Sequence, residues 1–297
     1  MPKIVEKKKV NNDSKIKSQS LMQIYIKEFK KSKIAKFGMF IIIGVITIAL
    51  LAPVISPYDP IKQNLVKSLQ GPSWEHPFGT DDLGRDILSR VLYGTRIALL
   101  VGFIVIMIGM TLGVAIGLSA GYFGGWIDSV LMRVMDVLLA FPFFLLAIII
   151  SGTLGPGLIN AMIAVGIASL PSYSRLARGL TLSTKESDYV QSARALGCSD
   201  FHIITRHILP NIIGPIIVYG TLRVSTAIIS TAGLSFLGLG AQPPTPDWGA
   251  MLSQGRKFMI LAPWLTIFPG MAIMITVLGF NFLGDGLRDA IDPKLRD

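Results

Sequence analysis

Long uncharged apolar runs alternate with shorter polar segments along this chain. The first run, residues 37–55, has 19 residues and no charge. At about 1.5 Å per helical residue it reaches about 28 Å, which is enough to cross the hydrocarbon core of a bilayer. The runs are continuous, so they predict helices and not the strands of a membrane barrel, whose apolar positions alternate. The pattern therefore predicts an all-α membrane protein with six transmembrane helices, at residues 37–55, 97–120, 127–150, 158–173, 212–236 and 263–283.

Positive charge is concentrated ahead of the first run. Residues 1–36 hold 11 Lys and three acidic residues, which accounts for most of the formal net charge of +10. An excess of Lys and Arg beside the spans marks the cytoplasmic side of a membrane protein, and this favours a membrane topology signal over nucleic-acid binding. With six spans, both termini and residues 174–211 are predicted to be cytoplasmic, and the loops 56–94 and 237–262 extracellular.

Composition supports a multi-pass protein of the plasma membrane and argues against an enzyme. Hydrophobic residues make up 51% of the chain and charged residues 15%, and the mean hydropathy is +0.59. The single cysteine excludes an internal disulfide, and the three histidines lie in polar segments without metal-ligand spacing. The sequence contains no GxxxxGK[ST] phosphate-binding loop and no nucleophile–base pair within its spans. We therefore predict no catalytic residues, no metal site and no cofactor of its own.

Three charged residues that lie well inside the predicted spans are candidates for a role. Arg133 and Asp136 are three residues apart on one helix face, so they are predicted to form a structural ion pair. The alternative for Asp136 is a proton-coupling carboxylate, as in secondary transporters. Arg223 lies about three turns into the fifth span, where an unpaired charge costs several kcal/mol. It must face protein or a watery cavity, and both contact with a translocated substrate and pairing with a partner subunit are open.

Glycines recur every four residues in the second span, at Gly109, Gly113 and Gly117. They share one helix face, which predicts close packing against a neighbouring helix. A role of the same face in lining a translocation pathway is the alternative.

A soluble segment interrupts the apolar runs at DYVQSARALGCSDFHIITRHILPN, residues 188–211. It predicts a short helix capped by Ser187 or Asp188, then a glycine turn in which Gly197 takes the positive φ of a C′ residue. A second short helix is predicted over 201–209, stopped by Pro210.

The apolar residues of this segment predict a docking face. Val190, Ala193 and Leu196 lie on one side of the first helix and form a small apolar surface. Two short helices packed at an angle make a rigid knob, and such a face can dock in a groove of a partner and transmit movement.

The same residues resemble a known motif, the EAA loop of bacterial ABC importer permeases. Gln191-Ser192-Ala193, Gly197 and the closing Leu209-Pro210 match its pattern, with Gln and Ser in place of the first Glu and Ala. The strings HPFGTDDLGRDILSRVLYGTR, GLSFLGLGAQPPTPDWGAMLSQGR and FNFLGDGLRDAIDPKLR are similar to the C-type permease subunit of dipeptide, oligopeptide and nickel importers. The resemblance extends from about residue 25 to the end of the chain.

The resemblance implies a type I ABC importer permease architecture and a division of the chain. It implies a basic cytoplasmic tail (1–36), a first span with its extracellular loop (37–94), a transmembrane domain (95–284) with a coupling loop (186–211), and a cytoplasmic C-terminal tail (285–297). The coupling residues are then Tyr189, Gln191, Ser192, Ala193, Ala195, Leu196, Gly197, Arg206, Leu209 and Pro210.

The resemblance also implies the partners and the activity. The partners are a homologous second permease forming a heterodimer, two cytoplasmic ATPases and an extracellular substrate-binding protein or lipoprotein. The expected function is that of a non-catalytic pore subunit for di- and oligopeptides, driven by ATP hydrolysis in the partner subunits. A nickel or metal-chelate importer is the alternative within the class, and a proton-coupled transporter using Asp136 is the alternative from another class.

Overall fold

The structure, a computed structural model, describes residues 32–291 and is a bundle of helices. Within this range the only strand-like pairing is one isolated bridge between Thr80 and Asp86. The helices are α1 (Lys33–Ile55), α2 (Ile87–Phe123), α3 (Gly125–Leu139), α4 (Phe143–Leu154), α5 (Leu158–Lys185), α6 (Asp188–Ala195), α7 (Asp200–Ile203), α8 (Leu209–Phe236), α9 (Trp248–Gly255) and α10 (Trp264–Ile291).

Carboxylate and hydroxyl side chains fix the starts of several helices. The Asp86 carboxylate accepts from the backbone N–H of Ser89 at 2.7 Å and begins α2, and Asp247 accepts from Ala250 at 2.9 Å and begins α9. Each satisfies an N–H group that has no partner within its helix. Burial raises the pKa of the Asp247 carboxyl, although the N–H of Ala250 opposes the shift.

Two predicted span boundaries are wrong, for reasons that lie in tertiary contacts. The second helix begins at Ile87 and not at residue 97, because its first turns are buried against the loop after α8. The fourth does not end at Tyr173 but runs to Lys185, since arginines of its last turns pair with carboxylates of α3.

The third predicted span, 127–150, is not one helix. It is divided into α3 and α4, which meet at an angle of 92°. The break falls at Pro142, which has no N–H to donate and disfavours helical geometry in the residue before it.

The expected count of six spans is only partly supported. Four stretches are long and apolar enough to cross a membrane, namely α1, α2, residues 200–236 and α10, and the bent pair α3 and α4 makes a fifth. The remaining candidate, α5, has 28 residues, about 42 Å of helix, but its last turns are charged.

The glycine stripe of α2 packs against α5, as predicted. A Cβ on Gly113 would lie 2.5 Å from the Cβ of Tyr173, and one on Gly117 would lie 2.8 Å from the Cβ of Ala177. Gly121 continues the stripe against Thr181. Without side chains at these positions the two backbones approach closely, which increases van der Waals contact between helices in lipid.

The first and last helices pack against each other by the same device. A Cβ on Gly38 of α1 would meet the backbone of Phe282 at 2.8 Å, and one on Gly279 of α10 would meet Ile41 at 2.6 Å. Residues 1–31 of the predicted basic tail and 292–297 of the predicted C-terminal tail lie outside the described residues. Helix α10 extends to Ile291, past the predicted tail boundary at 285.

Candidate functional site

The 186–211 segment joins α5 to α8 and forms a compact helical knob. It contains α6, a glycine turn, α7 and a π-helical turn over Ile204–Ile208. It packs at the end of the bundle where α2 finishes, opposite the end where α2 starts and α9 lies.

The predicted glycine turn is confirmed in detail. Gly197 has φ of +79° and follows the last residues of α6. Its N–H donates to the carbonyl of Arg194 at 3.0 Å, and the N–H of Cys198 donates to the carbonyl of Ala193 at 3.1 Å. These two bonds are the Schellman arrangement that closes a helix C-terminus, and its C′ residue needs the positive φ that glycine adopts without strain.

The predicted stop at Leu209-Pro210 is wrong. The N–H of Leu209 donates to the carbonyl of Ile204, five residues back, and Pro210 then occupies the first turn of α8. The proline is tolerated inside the rod because it directly follows the π-helical turn, where the hydrogen-bond register changes, and it has no N–H that would need an acceptor. Residues 200–236 consequently form one continuous helical rod, so the knob is attached directly to a membrane helix.

The predicted docking face is wrong for Val190 and Ala193, although its third residue, Leu196, is exposed. Val190 is 0% exposed and Ala193 6% exposed, because both pack against the protein itself. Their neighbours are Ile203 and Ile208 of the knob and Ala177 of α5. The small residues therefore hold the two short helices onto the bundle and are not available to a partner.

Tyr122, which the sequence analysis overlooked, anchors the knob to the end of α2. Its hydroxyl lies 2.5 Å from Oδ1 of Asp200, to which it donates, and the Arg194 guanidinium lies 5.6 Å from the centre of its ring. Lys185 donates to the carbonyls of Gly121 at 3.2 Å and Tyr122 at 3.3 Å, where a cation also complements the helix dipole. The position of Tyr122 just before Gly124, at the end of an apolar run, was the only signal in the sequence for this anchor.

Gln191, at the position of the first motif residue, makes an internal bond. Its Nε2 donates to the carbonyl of Lys185 at 3.1 Å, which satisfies a carbonyl near the end of α5. The ionised carboxylate of a glutamate could not make this bond because it has no hydrogen to donate.

The outer surface of the knob carries the side chains that face away from the bundle. Leu196 is 84% exposed, Phe201 77% and Tyr189 46%. Gln191, Ser192, Ala195, Gly197, Arg206 and Pro210 are exposed as well, and Leu209 is partly buried. Two large apolar side chains on a short polar loop form the kind of surface that a protein partner covers.

The predicted ion pair between Arg133 and Asp136 does not form. Asp136 instead accepts from Arg175 of α5 at 2.7 Å, and both side chains are about half exposed. The bend after α3 places that helix alongside α5, so partners 39 residues apart in sequence are closer than those on one helix. A second ion pair, Arg178 with Asp128, is bidentate at 2.6 and 2.5 Å.

Arg223, the third charged residue, lies in the middle of α8 and is partly buried. Its Nε donates to the hydroxyl of Tyr219 at 2.7 Å. The structure therefore gives it a neutral partner on its own helix.

The opposite end of the bundle contains a buried charge network that sequence reasoning missed. Arg85 and Arg90 are each 1% exposed. Arg85 donates to Asp81 at 2.7 Å and to Gln254 at 3.1 Å, and Arg90 donates to the carbonyl of Pro244 at 3.3 Å. These bonds fix the loop before α2 to the loop after α8 and make one rigid cap.

Two sequence families match the chain. Residues 113–297 match the binding-protein-dependent transport system inner membrane component, and residues 20–72 match the N-terminal TM domain of oligopeptide transport permease C.

Full-length relatives and one solved structure extend these matches. The chain is 50% identical to the dipeptide transport system permease protein DppC of Alkalihalophilus pseudofirmus over 91% of this chain and 89% of the relative. It is equally similar, over the same shares, to the glutathione transport system permease protein GsiD of Escherichia coli. Its fold is similar to a chain of the inward-facing MetNI methionine ABC transporter, with a TM-score of 0.55 at 17% identity, over 69% of this chain and 98% of that one.

Proposed function

The chain belongs to the family of binding-protein-dependent transport system inner membrane components, and on that premise we propose that it carries short peptides across the membrane. It is a non-catalytic, multi-pass permease subunit of an ABC importer. The observation that carries the peptide cargo is the 50% identity, over 91% of the chain, to permeases named for dipeptides and glutathione. Both named cargoes are small amide-linked molecules.

Uptake in cells tests this cargo against a nickel chelate. We expect that deletion of the gene from its host lowers uptake of a radiolabelled dipeptide at least about tenfold, and that the wild-type gene restores it. Uptake of a ⁶³Ni chelate should be unchanged by the deletion. Loss of nickel uptake with normal dipeptide uptake would contradict the proposal and support the metal-chelate alternative.

We do not retain the proton-coupled alternative that used Asp136. That carboxylate ties α3 to α5 through Arg175 at the half-exposed surface. Membership of an ABC importer family also implies that ATP hydrolysis by partner subunits is the energy source.

We propose that the 186–211 segment is the coupling loop that receives force from two cytoplasmic ATPases. Three features support this role: the exposed Leu196 and Phe201, the buried anchors at Val190 and Ala193, and the continuous helix into α8. A partner that moves the exposed surface would move α8 with it, since residues 200–236 form one continuous helix.

This assignment proposes an orientation and the remaining partners. The lysines of residues 1–36 and the arginines of α5 support a cytoplasmic location for both termini and the coupling loop. The cap formed by the loops before α2 and after α8 then faces outward, where a substrate-binding protein delivers cargo. A homologous second permease would complete the pore as a heterodimer.

Crosslinking distinguishes the exposed and buried residues of the knob. In a Cys198→Ser background, we expect Leu196→Cys to crosslink to the ATPase subunit of the assembled importer and Ala193→Cys to give at most about a tenth of that yield. The reason is that Leu196 is 84% exposed and Ala193 6% exposed. Yields on denaturing gels with a short bifunctional maleimide are the measurement, and equal yields at the two positions would contradict the proposed surface.

A further inference from the structure

A small cavity lies half-way along the bundle, between α2, α4, α5 and α8. Its volume is about 30 Å³. Arg223 reaches it from the centre of α8, about 20 Å of helix from either end of that helix. The wall also includes Tyr173, two serines of α5 (Ser169 and Ser172) and Phe143 of α4.

The charge of Arg223 is not neutralised by any residue that the structure describes. Among residues 32–291 the cationic partners of the ion pairs are four other arginines, one lysine and one histidine. Arg223 takes part in none of these pairs. Its guanidinium carbon lies 4.8 Å from the centre of the Tyr219 ring, and only Nε is used in a bond to the hydroxyl of that residue. The two terminal nitrogens keep their donors for another acceptor, in the fork geometry that fits a carboxylate.

Tyr173, which carries a second donor, lines the same cavity. The Tyr173 side chain is 1% exposed and its hydroxyl has no hydrogen-bond partner among the described residues. Its ring is fixed edge-on to Tyr219 at a centroid distance of 5.1 Å and packs on the glycine stripe at Gly109 and Gly113. A buried hydroxyl without a hydrogen-bond partner costs free energy. The Tyr173 hydroxyl therefore indicates that a group able to accept its hydrogen bond enters the cavity.

We propose that Arg223 and Tyr173 form a carboxylate subsite in the wall of the translocation path, which takes the free carboxylate of a short peptide in transit. The inference rests on the proposed peptide cargo. A guanidinium and a phenol supply donors only to an anionic or neutral acceptor, and the positive charge repels the ammonium end of the peptide. A peptide would therefore meet this site with its carboxylate. The neutral partner of Arg223 leaves the site free to exchange, as a path that must also release its cargo requires.

Transport of a peptide and its amide by the assembled importer tests this subsite. Proteoliposomes containing the full complex are given Ala-Phe or its C-terminal amide, and the acid-to-amide ratio of initial uptake rates is measured. The same binding protein serves all variants, so its own preference cancels when ratios are compared. We expect Arg223→Gln to lower the ratio about tenfold and Tyr173→Phe to lower it about threefold, as expected for bonds to a charged group.

Arg256 provides the matched control. It is exposed, and its guanidinium also stacks on one aromatic ring, that of Phe236, at 5.2 Å. Arg256→Gln should leave the acid-to-amide ratio unchanged. Tyr173→Phe should not lower the melting temperature of the purified complex, because the hydroxyl makes no bond within the described chain.

The outcomes separate this inference from the proposed function. Failure of the wild-type complex to transport either peptide would overturn the peptide cargo itself. Normal transport with the same ratio in Arg223→Gln and Arg256→Gln would overturn the subsite alone. Loss of the complex in both Arg223→Gln and Arg223→Lys, seen by size-exclusion chromatography, would show that Arg223 serves subunit assembly and would likewise overturn the subsite.

Discussion

Gly197→Asp should leave the permease in the membrane and assembled but abolish transport driven by ATP. A Cβ at this position meets no atom within 4 Å, so the substitution fits sterically, and the left-handed backbone at φ +79° costs about 1 kcal/mol. That is too little to unfold the bundle. The new charge, however, lies beside the exposed Leu196, in the surface that we propose the ATPase covers, where a desolvated carboxylate is expensive.

The variant Gly197→Asn distinguishes the effect of the negative charge from the effect of a non-glycine backbone at this position. Asparagine adopts positive φ about as readily as aspartate and has nearly the same shape. We expect the asparagine variant to retain at least about half of the wild-type transport, and the aspartate variant less than about a twentieth. The measurement is peptide uptake and peptide-stimulated ATP hydrolysis in proteoliposomes. Normal coupled uptake by Gly197→Asp would refute the coupling role of this turn.

Gly117→Ala should disrupt the packing of α2 against α5 and lower the yield of folded permease severely. The added methyl would lie 2.8 Å from the Cβ of Ala177 and 2.9 Å from the backbone N of Arg178. Neither is a flexible side chain that can move away, so the helices must separate along the whole glycine stripe. Overpacking of this kind costs about 1–3 kcal/mol or more.

Gly179→Ala is the matched control, on the partner helix α5. Its Cβ would meet no atom within 4 Å, and alanine stabilises a helix interior by about 0.5–1 kcal/mol relative to glycine. We expect the melting temperature in detergent to fall by several degrees for Gly117→Ala and to stay equal or rise for Gly179→Ala. Equal effects of the two substitutions would mean that the α2–α5 contact is looser than the structure shows.

The proposed coupling loop and the proposed carboxylate subsite share one mechanical element. Residues 200–236 form a continuous helix, so we expect Phe201 at its start and Arg223 near its centre to move together. About 22 residues separate them, which is about 33 Å of helix. Displacement of the knob would then shift the guanidinium relative to Tyr173 on α5, and would open or close the small cavity between them.

Local sequence was sufficient for features that depend on a few neighbouring residues. Gly197 was assignable because a helix followed by a glycine turn has one common geometry, and that geometry was found. The stripe at Gly109, Gly113 and Gly117 was assignable because residues four apart share a helix face. The apolar runs identified most of the membrane helices because a bilayer imposes a length and a composition on each helix separately.

Only the tertiary structure decided which face meets which neighbour. Periodicity placed Val190 and Ala193 on one side of α6, but whether that side faces the bundle or a partner depends on how α2 and α5 are arranged around it. Asp136 had a plausible partner three residues away, and it binds Arg175 because the bend at Pro142 brings a distant helix closer. Sequence determines the faces of single helices through local geometry, whereas burial and pairing follow from contacts between segments far apart in the chain, which no local pattern specifies.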